Sequence, residues 1–189
     1  MNIKLLIIFT FVYLYGFFEI IMSVKQRRKS TILKSDDKKS IWILSICIAI
    51  GYVFSFSIGA TKLGRIYYWD TMFLIGIIMI IIGLTLRILA IHTLQKQFTF
   101  TVAKIENHEL IQSGLYKKIR HPGYLGQLII FLGISTSLSN VLSIVCMMIP
   151  VLVGYSYRIR IEETFMEKQL GQNYIDYQKT TTRLIPKIY

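Results

Sequence analysis

Metal-binding and disulfide chemistry are what this sequence is shortest of. It holds two cysteines and three histidines, and no Cys or His spacing suggests a zinc site. Cys47 and Cys146 each sit inside an apolar run, far apart in sequence, and are expected to be buried, reduced and structural. Acid is scarce too: ten Asp and Glu stand against 22 Lys and Arg, a net charge of +12. Such a charge can mark a nucleic-acid binder. Here, however, the Lys and Arg crowd loops on alternate sides of apolar runs. That is the positive-inside pattern, so membrane lipids, and not nucleic acid, are the expected partners. The chain also lacks a Ser-His-Asp set, a Gly-rich nucleotide loop and any internal repeat.

What it has in quantity is apolar length. Hydrophobic residues make up 53% of the chain and mean hydropathy is +0.52, too high for a soluble domain of 189 residues. Apolar runs at residues 3–23, 41–60, 71–94, 123–138 and 141–157 approach the ~20 residues that cross a bilayer. The first is too long for a signal-peptide core, and V-K-Q-R-R-K follows it in place of a small-residue cleavage site. The loop at 25–40 carries seven Lys or Arg, residues 95–122 carry five, and residues 158–189 carry six. By the positive-inside rule these are cytosolic. The expectation is an all-α integral membrane protein of about five spans, N-out and C-in. It is one domain over 1–189, with a cofactor and catalytic region in 95–189 whose site faces the cytosol. Ile- and Lys-rich, Ala-poor usage suggests the cytoplasmic membrane of a microbe.

Several single residues carry meaning within that frame. Tyr67, Tyr68 and Trp69 form an interfacial aromatic belt, and Gly76 and Gly83 allow close helix packing. Arg87, in the last turns of the third run, is expected to snorkel to the headgroups. His92, one turn further on, is interfacial or lines the site. The uncharged Ser137–Asn140 suits a tight hairpin, and Gly171 is a natural helix stop.

Chemistry concentrates in 105–127, the longest polar interruption after residue 40. Pro122 suits the first position of a helix, so the fourth span should begin there. A helix amino terminus at Arg120-His121-Pro122-Gly123-Tyr124 would favour a carboxylate or phosphate. Tyr124 could stack on a ligand, and Gly126 would let a ligand or a helix approach the backbone. Downstream, Arg158 and Glu162 stand four apart on one helix face, as in an ordinary surface ion pair, while Glu163 points about 100° away.

The stretch H-E-L-I-Q-S-G-L-Y-K-K-I-R-H-P-G-Y-L-G, then R-I-R-I-E-E, L-G-Q-N-Y-x-x-Y and R-L-I-P, resembles the isoprenylcysteine carboxyl methyltransferase family. That family belongs to a wider group with the membrane phospholipid N-methyltransferases. The resemblance covers Gly83 onward. It implies a multi-span helical fold, S-adenosylmethionine as methyl donor, and an amphiphilic, lipid-like acceptor entering from the bilayer. Carried over, the cofactor wall would be His108, Glu109, Leu110, Ile111, Tyr116, His121, Pro122, Gly123 and Tyr124. Glu162 would join it from the last helix, forming a pocket between the loop before span four and the end of span five. Arg158 would face the acceptor. Thr101 stands where some relatives have a cofactor-binding glutamine. An ionised carboxylate needs no general base for methylation, which suits the missing triad and metal. An amine N-methyltransferase stays open, as does a nicotinamide-dependent reductase of the sterol-reductase type, which also shows Arg-His-Pro-x-Tyr. Against the reductase, Gln127 stands where those enzymes tend to have an acid. A non-catalytic membrane protein of the same architecture is the third possibility.

Overall fold

The computed structural model describes residues 3–29, 32–37, 39–95, 102–105 and 110–185. Among the described residues six α-helices carry the architecture: α1 (Ile3–Lys29), α2 (Lys39–Gly59), α3 (Trp69–Leu94), α4 (Pro122–Ser137), α5 (Val141–Leu170) and α6 (Gln172–Thr180). Strands β1 (Ile32–Asp37) and β2 (Val102–Ile105) pair antiparallel. This small sheet is the one departure from an all-α reading among the described residues. It joins the loop after α1 to the loop after α3, two loops that the charge pattern assigns to the same side.

The long helices pack in the order α3, α4, α5, α2. Side chains of α1 reach both ends of that row. Phe9 stacks on Phe56 of α2 at 5.0 Å, while Lys4 pairs with Asp70 and lies over the Trp69 ring. The shared core runs through Ile8, Ile80, Ile130, Ile134, Met147, Val151, Tyr155 and Ile159. Large apolar side chains such as Trp42, Val53, Leu74, Ile81 and Val153 point outward and stay exposed, as suits lipid rather than water. The protein is an integral membrane protein. Four described helices, α1, α2, α3 and α5, are long and apolar enough to cross a bilayer. With 16 residues, α4 measures only about 24 Å, short of a ~30 Å hydrocarbon core.

Glycine sets the α3–α4 distance. A Cβ on Gly83 would meet the Gly126 carbonyl at 2.5 Å, and one on Gly76 would meet the Gly133 carbonyl at 2.5 Å. The two backbones therefore touch, as the Gly76 and Gly83 positions lead one to expect. At Gly126 the approaching group is a helix, not a ligand. The uncharged hairpin is tight and well tied. Asn140 accepts from the Ser143 N–H at 3.0 Å and donates to the Leu63 carbonyl at 2.7 Å, while Trp69 Nε1 donates to the Ser137 carbonyl at 3.1 Å.

Arg87 does not snorkel. It is 3% exposed and forks onto Glu19 of α1, Nε to Oε1 at 3.0 Å and Nη2 to Oε2 at 2.9 Å. Tyr15 donates to the same carboxylate at 2.7 Å. The reason is pairing: an arginine inside an apolar bundle turns inward once a carboxylate is there to accept its fork.

Candidate active site

Residues 118–121 are anchored from the chain's far end. The Arg120 N–H donates to the Thr182 carbonyl at 2.8 Å, and the His121 N–H to the Arg183 carbonyl at 3.1 Å. Thr182 returns a bond to the Lys118 carbonyl at 3.0 Å. Nearby, the Tyr177 hydroxyl of α6 donates to the Tyr116 carbonyl at 2.6 Å, and burial pushes that hydroxyl up to about 12. Tyr116 itself is buried in the short 3-10 turn Gly114–Lys117. Thus Thr182, Arg183 and Tyr177 brace the loop that leads into α4.

Pro122 opens α4 with His121 at the cap, where the fixed proline φ and missing N–H cost the helix nothing. The His121 ring stacks on Tyr124 at 5.5 Å. Its Nε2 lies 3.3 Å from Glu163 Oε1, and its Nδ1 lies 3.8 Å from Glu162 Oε1. Both glutamates come from the polar turns of α5 beyond residue 157, and they meet different partners. Glu163 is buried and takes Arg120 Nε on one oxygen and Arg183 Nε on the other, each at 2.8 Å. Glu162 accepts the Tyr124 hydroxyl and leaves 31% of its side chain exposed.

Arg158 is 3% exposed. Its Nε donates to the Tyr124 oxygen at 3.3 Å, and its Nη1 donates to the Ser40 hydroxyl of α2. One tyrosine hydroxyl therefore links Arg158 to Glu162, so the expected i,i+4 pair is bridged through α4. The chain Ser40–Arg158–Tyr124–Glu162 ties three helices at the end of the apolar part of α5.

Of the residues expected at the site, the structure brings together Arg158, Glu162, His121, Pro122 and Tyr124. Gly123 abuts Arg87 instead: a Cβ there would stand 2.9 Å from Nη1. Leu110 lines an open groove of about 380 Å³ with Gln112, Asn173, Asp176, Tyr177 and Thr180, and Ile111 beside it is half-buried. In that groove the hydrogen bond from Lys179 lowers the exposed Asp176 carboxyl. The groove lies between the loop and α6, so it differs from the expected pocket between the loop and α5. His92 is exposed. His108 and Glu109, like Thr101, lie outside the described residues. Sequence reasoning missed Arg120, Arg183 and Ser40 as partners. The signal for the two arginines was their place inside the R-H-P and R-L-I-P segments.

This is a helical membrane bundle with a charged cluster where the loop before α4, the end of α5 and the carboxyl-terminal segment meet. The phospholipid methyltransferase family model matches residues 71–173, and the chain belongs to that family. It is 35% identical over 123 residues to protein-S-isoprenylcysteine O-methyltransferase A of Arabidopsis thaliana, covering 64% of this chain and 61% of the relative. It is 33% identical over 138 residues to protein-S-isoprenylcysteine O-methyltransferase of Saccharomyces cerevisiae, covering 72% and 54%. Among solved structures it is similar to the eukaryotic intramembrane Ras methyltransferase ICMT (isoprenylcysteine carboxyl methyltransferase). That match has a TM-score of 0.62 and 28% identity, over 80% of this chain and 54% of the other. The chain spans less than two thirds of each of these relatives. All three are eukaryotic proteins, so the expected microbial source is left unsupported.

Proposed function

We propose that this chain transfers a methyl group from S-adenosylmethionine to the carboxylate of an amphiphilic, isoprenylcysteine-like acceptor at the membrane. The observation that supports this most is the linkage of Arg158 to Glu162 through Tyr124. It sets a buried cation beside a partly open carboxylate where the last apolar run ends. A cation suits an acid acceptor and disfavours a protonated amine.

The residues present fit the cofactor. Glu162 is a fixed acceptor with an open side, suited to nucleoside O–H or N–H groups, and its negative charge favours a sulfonium. The neighbouring groove of about 380 Å³ falls in the usual range for small-molecule sites. When bound, S-adenosylmethionine supplies an electrophilic sulfonium methyl. Tyr124 then keeps Glu162 in one rotamer, and His121 and Pro122 hold the start of α4 against it; by the resemblance, Leu110, Ile111 and Tyr116 would extend the wall along the neighbouring groove, while Gly123 lies against Arg87. By the resemblance, His108 and Glu109 extend it. Bonds to Tyr124 and Ser40 fix the plane of the Arg158 guanidinium, whose fork of donors matches a carboxylate. Orientation and exclusion of water supply most of the acceleration, since the ionised acceptor needs no base.

Methyl transfer from labelled cofactor to a prenylated thiol acid, with phosphatidylethanolamine as the competing acceptor, tests the reading. Arg158→Ala should lower kcat/KM on the acid by about 10²–10³-fold, and Arg158→Lys should not rescue it. Full activity in Arg158→Ala, or transfer to the amine alone, would overturn the assignment.

The same reading includes a topology: five crossings with α4 as the fourth, the amino terminus outside, and the site facing the cytosol. Single cysteines at Ser35 and Thr61 should react with an impermeant thiol reagent from the cytosolic and outer faces, respectively. Labelling of both from one face would rule it out.

A further inference from the structure

Among the described residues, the fully buried side-chain hydroxyls have partners, with one exception. Ser55 and Ser143 share a bond at 2.6 Å, Ser135 and Ser137 donate back to their own helix, and Tyr177 reaches a carbonyl. Tyr155 is 1% exposed, and its hydroxyl has no hydrogen-bond partner among the described residues. A donor left unmet in a protein interior costs about what a lost hydrogen bond costs, and no bulk water relieves it in the apolar part of a membrane. Its ring is held firmly, 5.3 Å from the Tyr124 ring and 6.4 Å from Phe131. Tyr155 also stands three residues before Arg158, on the same face of α5 and about 4.5 Å deeper along the helix. Tyr124 thus touches both ends of this pair, stacking near Tyr155 and bonding Arg158.

We propose that Tyr155 determines acceptor specificity: its hydroxyl donates to one oxygen of the acceptor's carboxylate while Arg158 holds the charge. The proposal rests on the carboxyl-methylation reading and goes beyond it by naming a second recognition group. A protonated amine has donors but no acceptor. It would leave the hydroxyl unmet and face the arginine's charge, so the pair selects by repulsion as well as attraction.

Tyr155→Phe keeps the ring and removes only the donor. The probes are a farnesyl thioether acid and the alcohol of the same skeleton, titrated by calorimetry into the detergent-solubilised full chain saturated with S-adenosylhomocysteine. The variant should bind the acid about tenfold more weakly or worse, the loss of one hydrogen bond to a charged group. It should bind the alcohol and S-adenosylhomocysteine as before. Its melting temperature should hold or rise, because the free protein loses an unsatisfied polar atom. Unchanged acid affinity overturns the proposal, and so does a fall in melting temperature, which would show that the hydroxyl serves the resting fold. If the acid binds in a Tyr155-dependent way but is never methylated, the carboxyl-methylation reading fails and the recognition site stands. If the unmodified protein does not bind the acid, both are overturned.

Discussion

The two faces of α5 beyond residue 157 differ in kind, although adjacent residues carry them. On one face Glu163 is buried among Arg120, Arg183 and His121. These come from the loop before α4 and from the carboxyl-terminal segment, so Glu163 closes a structural knot. On the other, Arg158 and Glu162 meet at one tyrosine hydroxyl, and Glu162 remains partly open. A carboxylate whose two oxygens are both spoken for by protein cations is a brace. A carboxylate held from one side and open on the other can still take a ligand, the part we propose for Glu162. Sequence spacing alone assigns Glu163 a lesser part simply because it leaves the Arg158 face. The structure gives it the denser set of bonds.

The largest effect separating the faces should come from removing the brace. Glu163→Ala leaves the mostly buried Arg120 without its counter-charge, held by the Gln178 and Thr181 carbonyls, and frees Arg183 from its carboxylate. Breaking a buried pair by deleting one partner costs ~3–5 kcal/mol. The melting temperature of the solubilised protein should fall sharply, and cleavage of the 181–185 segment by added protease should speed up. Activity should fall as a consequence, with Glu163→Gln intermediate. An unaltered melting temperature would dissolve the distinction between the faces.

How much of this was legible depended on distance along the chain. Pro122 at the start of α4, Gly171 at the end of α5 and the uncharged hairpin are local signals, and each appears where expected. The glycine pairs were half legible: Gly76 and Gly83 announce close packing, but not that Gly133 and Gly126 are the partners. The ion pairs were illegible because they depend on which helix faces meet. Glu19 and Arg87 lie 68 residues apart, and Arg120 and Glu163 lie 43 apart. A lone acid in one apolar run and a lone base in another was the available hint, since each is costly in lipid without the other. β1 reads I-L-K-S-D-D, with no period-two pattern to reveal a strand. The length of α4 hid a further point. Its 16 residues are mostly buried between α3 and α5, so its partners and not lipid line most of its surface.

A smaller but more specific effect should mark the open face. In Glu162→Gln the side chain keeps its size and can still meet the Tyr124 hydroxyl through its amide oxygen, so the fold should be indifferent. What it loses is charge, and with it the stronger class of hydrogen bond to a nucleoside and the attraction for a sulfonium. A charge-assisted bond is worth ~1.5–3 kcal/mol, or roughly ten- to a hundredfold in affinity. Titration calorimetry should show that loss for S-adenosylmethionine. It should be somewhat smaller for S-adenosylhomocysteine, which lacks the sulfonium charge, and the melting temperature of the ligand-free protein should stay within about a degree of the parent. Glu162→Asp tells reach from charge: it keeps the carboxylate but draws it back from Tyr124 by one methylene, and should recover the sulfonium preference without full affinity. If Glu162→Gln instead melts early and binds both ligands equally well, Glu162 is a second brace, and the cofactor must be sought in the groove along Leu110, Asn173 and Asp176.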